Sequence, residues 1–141
     1  MAKNIVDATI GKPLRAYPDY LFHEVDLDDS DNFDVSGEAL SDEFYPGKVQ
    51  NRIVVVVEAV EDIVTTVAGT DTVKIEYMYG EDLDKSVTLF EQDSATEDIT
   101  TEKGEIARFT PTVGMFESKA KIKITTDGAE GVVDVYPIRI S

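Results

Sequence analysis

Hydrophobic residues recur along this chain with a period of two, the repeat of a strand, and seldom with the three-and-four spacing of a helix. The longest apolar run, Ile53 to Val57, lies inside the stretch N-R-I-V-V-V-V-E-A-V at 51–60 and is entirely β-branched. Such side chains are stiff about χ1 and favour extended backbone. The run does not alternate, so both faces should be covered. This predicts a central strand, inside a sandwich or covered on its second face by another chain or element. Val73, Ile75, Tyr77 and Tyr79 alternate with Lys74, Glu76 and Met78, as expected of a strand with one face in the core. Between these two, 61–72 reads as a short element around Ile63, Val64 and Val67, then a turn at Ala68-Gly69-Thr70-Asp71. Further strands are expected at 86–91, at 106–110 before Pro111, at 119–125 and at 132–140. Asp127-Gly128 between the last two is a hairpin cue, within a loop at 126–131 that looks longer than a two-residue turn.

The first third of the chain is less regular. Residues 20–27 have the composition of a strand, with Leu21, His23, Val25 and Leu27 on one face, although neither face is cleanly apolar. An acidic connection follows. Between Ala16 and Gly47 there is no lysine or arginine, while Asp26, Asp28, Asp29, Asp31, Asp34, Glu38, Asp42 and Glu43 crowd together. Phe33, Val35, Leu40, Phe44 and Tyr45 interrupt it, which predicts an ordered, surface-hugging segment with a short strand at Phe33 to Val35 and a turn at Tyr45-Pro46-Gly47. Ahead of all this, Gly11, Pro13 and Pro18 argue for an extended N-terminal arm over 1–19, with Tyr17 and Tyr20 as anchors. The expected organisation is thus an arm at 1–19 and a domain at 20–141 that includes an acidic connection at 26–47. With seven to nine short strands and no amphipathic helix, the domain is an all-β, antiparallel β-sandwich or jelly roll; a helical turn at 38–43 or 61–67 would not alter that class.

Charge narrows the function. The 141 residues carry 29 acids against 13 lysines and arginines, a formal net charge of -16. Such a surface repels phosphate, so nucleic acid and anionic membrane are not expected partners; proteins or cations are. No cysteine is present, which excludes disulfides and thiolate metal sites. The N-terminus has no apolar core of a signal peptide, and no run approaches the length of a membrane-spanning helix.

Candidate chemistry is sparse. His23 is the single histidine, and neither its neighbours nor any G-x-S-x-G motif supplies a nucleophile, so a packed strand residue is the simpler reading. The run Asp28-Asp29-Ser30-Asp31-Asn32-Phe33-Asp34 has calcium-like ligands, yet the sixth and twelfth positions of an EF-hand loop are Phe33 and Ala39. A solvated or partner-facing loop fits better, and no metal or cofactor is expected. Lys119, Lys121 and Lys123 form a basic row opposite Ala120, Ile122 and Ile124; it either protects an edge strand or meets an acidic segment of a neighbouring copy.

The segment Ser30-Asp31-Asn32-Phe33-Asp34-Val35, the long strand Ile53 to Val57, the strand Val73 to Tyr79 and the closing pair Ile122 to Thr125 with Val132 to Tyr136 resemble the jelly-roll cement, or decoration, proteins of tailed bacteriophage capsids. The resemblance spans roughly 28–138 and is a pattern of strands and turns with few fixed residues. It implies a jelly roll whose last two strands form a hairpin. It further implies a non-enzymatic virion protein on the outer capsid surface, assembled in the host cytoplasm, bridging major capsid protein subunits, often as a homo-oligomer such as a dimer or trimer. Under that reading Tyr17, Tyr20, Phe33, Phe44 and Tyr45 are candidate capsid anchors, with Lys119, Lys121 and Lys123 as subunit contacts. Two rivals remain from the residues alone: a fiber, adhesin or receptor-binding module using loops 80–85 and 126–131 on a glycan or protein, and a small hydrolase using buried carboxylates.

Overall fold

The computed structural model describes residues 20–46, 53–115 and 118–139. The N-terminal arm and Tyr17 lie outside the described residues. Nine strands form: β1 (Phe22–Asp26), β2 (Glu38–Leu40), β3 (Ile53–Thr65), β4 (Thr72–Tyr79), β5 (Lys85–Asp93), β6 (Ile99–Thr101), β7 (Gly104–Phe109), β8 (Ala120–Asp127) and β9 (Glu130–Arg139). They build two antiparallel sheets. In the first, β9 lies between β1 and β3, and both β6 and β7 pair with the other side of β3; in the second the order is β2-β8-β4-β5. The pairing is nested along the chain: β1 with β9, β2 with β8, β3 with β7, and β4 with β5.

The apolar run at Ile53 is central, as its pattern predicts. Ile53, Val55, Val57, Ala59 and Ile63 point between the sheets and share one core with Val73, Ile75 and Tyr77 of β4, Ile122 and Ile124 of β8, and Val133 and Val135 of β9. Val54 and Val56, on the alternate face, are also buried, beside Tyr136, Ile138 and Arg108 in the register of the flanking strands. β3 outruns the sequence expectation. Glu61 and Asp62 suggest an end, but they fall where the ladder to β9 shifts register, and the strand resumes with Ile63 and Thr65 buried. The segments 38–40 and 61–65 are strand and not helical turns.

Three local expectations change for identifiable reasons. In β1, the register slips between Phe22 and Val25, and Glu24 takes a positive φ of 50°. This bulge breaks the expected alternation: Leu21, Phe22 and Val25 pack on the core while His23 and Glu24 face outward. No strand forms at Phe33 to Val35. A 3-10 turn occupies Ser30–Asn32, and the Asp34 carboxylate accepts the backbone N–H groups of Ser36 (2.9 Å) and Glu38 (3.0 Å), closing a turn that delays β2 to Glu38. Finally, β8 and β9 are not a hairpin. Gly128 and Ala129 carry the chain from one sheet to the other, and Gly128 (φ 82°) passes so close to the Asp71 carboxylate that a Cβ there would collide with it.

One end of the sandwich is closed by a polar clasp. Gln92 of β5 is 4% exposed and donates to the Ile63 carbonyl (3.2 Å), Thr65 Oγ1 (2.8 Å) and the Ile99 carbonyl (3.1 Å), while Thr101 Oγ1 donates to its Oε1 (2.6 Å). Ser94 Oγ adds a 2.6 Å bond to Thr65 Oγ1. The clasp ties the second sheet to β3 and β6 of the first. The buried hydroxyl of Tyr77 behaves differently. Tyr77 is fully buried among Phe44, Tyr79 and Phe109, and its hydroxyl has no partner among the described residues; burial pushes its phenol far above the ordinary range.

These two groups predict opposite outcomes in chemical denaturation. Gln92→Leu removes the hydrogen bonds that Gln92 makes to Ile63, Thr65, Ile99 and Thr101 in a buried network and should lower stability by about 2–3 kcal/mol. Tyr77→Phe removes only an unpaired hydroxyl and should be neutral or stabilising; a loss above about 1 kcal/mol would show that the hydroxyl has a partner after all.

Candidate functional site

The acidic connection uses many of its carboxylates to fold itself. Asp26 Oδ1 accepts from the Asp28 N–H (2.9 Å), Asp29 Oδ1 from the Asp31 N–H (3.0 Å), and Asn32 Nδ2 donates to the Asp26 carbonyl (3.0 Å). At Asp34, the Ser36 hydroxyl (2.8 Å) joins the two backbone donors on the same oxygen, Oδ1. These bonds hold the Asp34 carboxyl below its usual range, the Glu38 N–H being the largest cause and the Ser36 hydroxyl the next. The result is an ordered anionic rim that leads into β2, an edge strand of the second sheet.

Along this rim stand the most exposed large apolar side chains. Val35 is fully exposed, Leu40 is 52% exposed and Tyr45 is 59% exposed. Leu40 ends β2, Val35 precedes that strand and Tyr45 follows it. Apolar side chains left open on an edge strand are an invitation to association, which edges usually avoid. Beside Val35 opens a cleft of about 600 Å³ between the connection and the turn joining β8 to β9.

The anchors expected from sequence divide. Tyr45 belongs to this rim. Phe33 is half-buried and packs against the core, and Phe44, 6% exposed, sits edge-on to Tyr77 with ring centroids 5.8 Å apart, so it is a core residue and not a surface anchor. Tyr20 lies apart from them, on the outer face of the first sheet. The basic row does not lie on an edge: β8 runs between β2 and β4, so its lysines do not guard one. They meet the chain's own acids: Lys119 lies 3.7 Å from Glu43, and Lys123 lies 3.9 Å from Glu38 and 3.8 Å from Glu76. Lys121 shares that half-buried face, in register with Met78. Most of these pairs are exposed enough that each adds little stability, but together they neutralise the outer face of the second sheet.

A second polar group, not foreseen from sequence, occupies the outer face of the first sheet. His23 Nδ1 lies 3.2 Å from Asp134 Oδ1, which also accepts the Glu24 N–H at 2.6 Å. Tyr20 stacks on His23 (4.0 Å) and meets Tyr136 edge-on (5.8 Å). The Tyr136 hydroxyl donates to Glu58 (3.0 Å), and its phenol is raised first by burial and then by that bond. Arg108 clasps Glu105 through two bonds of 2.9 and 2.8 Å. Register makes this cluster, because Glu58 faces both Asp134 of β9 and Glu105 of β7. Among the described residues the His–Asp pair meets Tyr20 and Glu24 but no serine or threonine hydroxyl, so its geometry is that of a brace for the β1 bulge. Among the described residues no group of three or more histidines and acids is arranged to hold a metal.

Comparison of the chain with known protein families, curated proteins and solved structures finds no match.

Asp34 supplies a pH prediction. Its folded pKa is lowered, so the turn gains stability from the ionised form. That gain is complete above the unfolded value of about 3.9 and is lost as pH falls through the lower folded value. Carboxyl NMR titration should place Asp34 below an unfolded aspartate, and Asp34→Ala should abolish the protection of the Glu38 amide from hydrogen exchange.

Proposed function

We propose that this chain is a structural contact protein that docks on other protein subunits, and that its place is the outer surface of a viral capsid, where it bridges major capsid protein subunits and reinforces the shell. The observation that carries the docking role is the exposure of Val35, Leu40 and Tyr45, one in the edge strand β2 and the others in the segments before and after it. Glu38 and Glu43 of this edge are met by Lys123 and Lys119, so the free negative charge is that of the connection ahead of β2, and apolar side chains beside it suit a partner surface that is apolar at its centre and basic at its rim. The capsid setting comes from the resemblance to decoration proteins. The nested pairing of first strand with last, second with eighth, third with seventh and fourth with fifth supports the jelly-roll reading that goes with it.

The acid-rich connection, with no lysine or arginine between Ala16 and Gly47, favours a cationic partner surface over a second copy of this chain. The rival reading, a glycan-binding module, is weakened at one of its two loops: between β8 and β9 only Gly128 and Ala129 intervene, and Ala129 is fully buried.

Co-sedimentation with capsid shells from the same source tests the proposal. Saturable binding at a fixed copy number is expected, with decorated shells surviving heating better than bare ones. The triple substitution Val35→Ser, Leu40→Ser, Tyr45→Ser should weaken occupancy by about tenfold or more, equivalent to at least about 1.4 kcal/mol, without loss of fold. Absence of wild-type binding to those shells would refute the capsid role.

A further inference from the structure

The cleft beside Val35 has two kinds of wall. Leu27, Phe33 and Val35 give it an apolar side: Leu27 is buried, Phe33 rests on the core, and Val35 stands fully exposed at the lip. Asp28, Asp34 and Asp127 give it an anionic side, and neither lysine nor arginine is among the described residues lining it. Two nearby lysines are turned to other carboxylates, Lys119 to Glu43 and Lys123 to Glu38 and Glu76. Asp34 is also pre-oriented. The Ser36 and Glu38 N–H groups and the Ser36 hydroxyl all reach its Oδ1, so the turn fixes the carboxylate.

A hydrophobic floor beside a row of carboxylates matches one kind of side chain, a long aliphatic stem ending in a cation. We infer that this cleft seats a lysine or arginine side chain of the partner protein, its stem on Phe33 and Val35 and its head among Asp28, Asp34 and Asp127. The inference rests on the docking role proposed above and specifies its chemistry. The cleft is broad and open, so the stem excludes water from Val35 while the cation stays partly hydrated. Attraction there is moderate and sensitive to salt, with a screening length of about 8–10 Å at ordinary ionic strength. Specificity comes from the requirement that apolar and anionic walls be filled by one side chain.

The test uses the full chain, isotope-labelled, and a defined probe, the capped peptide acetyl-Leu-Lys-Val-Lys-Leu-amide, with its glutamate-for-lysine counterpart as control. Amide shifts should concentrate at Gly37, Thr126, Gly128 and Ala129 and should fade as salt is raised. The double substitution Val35→Ser, Asp127→Asn should keep the dispersed spectrum of the folded protein and weaken the peptide by about tenfold. Shifts spread evenly over the acidic surface, equal binding of the glutamate peptide, or unchanged affinity of the double variant would each overturn the inference. Self-association abolished by the same double substitution would assign the cleft to a second copy and overturn it too. Co-sedimentation separates this idea from the capsid role. If shells hold the wild type and the double variant equally, the cleft assignment fails and the capsid role stands. If the peptide seats in the cleft but shells do not bind, the capsid role fails and the cleft assignment stands.

Discussion

The ladder that β3 makes with β9 on one side and β7 on the other is the constraint on which the rest of this sandwich depends. It aligns Ile53 with Arg139 and continues to Val64 opposite Glu130, and it sets which residues of three strands enter the core. Because side chains alternate, a slip of one residue would exchange Val133 and Val135 for Asp134 and Tyr136 and place a carboxylate among the valines. The same register brings Glu58 against Asp134 and Glu105, so core and outer polar cluster are specified together. β3 also binds the end of the chain to its middle. Its partners β7 and β9 are supplied late, so the central strand is complete only when the C-terminal strands have formed. Such non-local pairing makes slow folding the expectation for this architecture.

The large negative charge is unevenly deployed. On the outer face of the second sheet, Lys74, Lys119 and Lys123 offset Glu76, Glu43 and Glu38, and the face is close to neutral. In the connection from β1 to β2 there is no basic residue to do the same, and the carboxylates are directed at backbone N–H groups instead. This solves a local problem, since an irregular segment must satisfy its own peptide groups. It also leaves a stiff anionic surface whose open side carries Val35, Leu40 and Tyr45. Folding of the connection and availability for contact thus arise from the same short-range bonds.

Much of the architecture is legible in the residues. The β-branched run at Ile53, the alternation at Val73 to Tyr79 and the alternation at Ala120 to Ile124 each report a strand and its buried face, because side-chain period and burial are local properties. Legibility fails where tertiary partners overrule the local signal. The β1 bulge depends on Asp134, more than a hundred residues away, capturing the Glu24 N–H. Asp127-Gly128 looks like a hairpin turn because the dipeptide adopts the right backbone, yet whether the two flanking strands pair is decided by the other strands available to them. Phe44 and Tyr45 are adjacent aromatic residues of similar sequence character; one is core and the other is surface because Tyr77 fills the space on only one side.

By itself, then, the sequence determined that this protein is built of strands, which strand is central, and that its surface is acidic and without cysteine chemistry. Those follow from composition and from a two-residue period that needs no knowledge of distant neighbours. Only the tertiary structure decided the division of strands between the sheets, the capture of the lysine row by the chain's own acids, the Gln92 clasp, and the placement of exposed apolar side chains beside an anionic cleft. Each of these is a juxtaposition of residues far apart in the chain, and such contacts are set by register and packing, which no local pattern encodes.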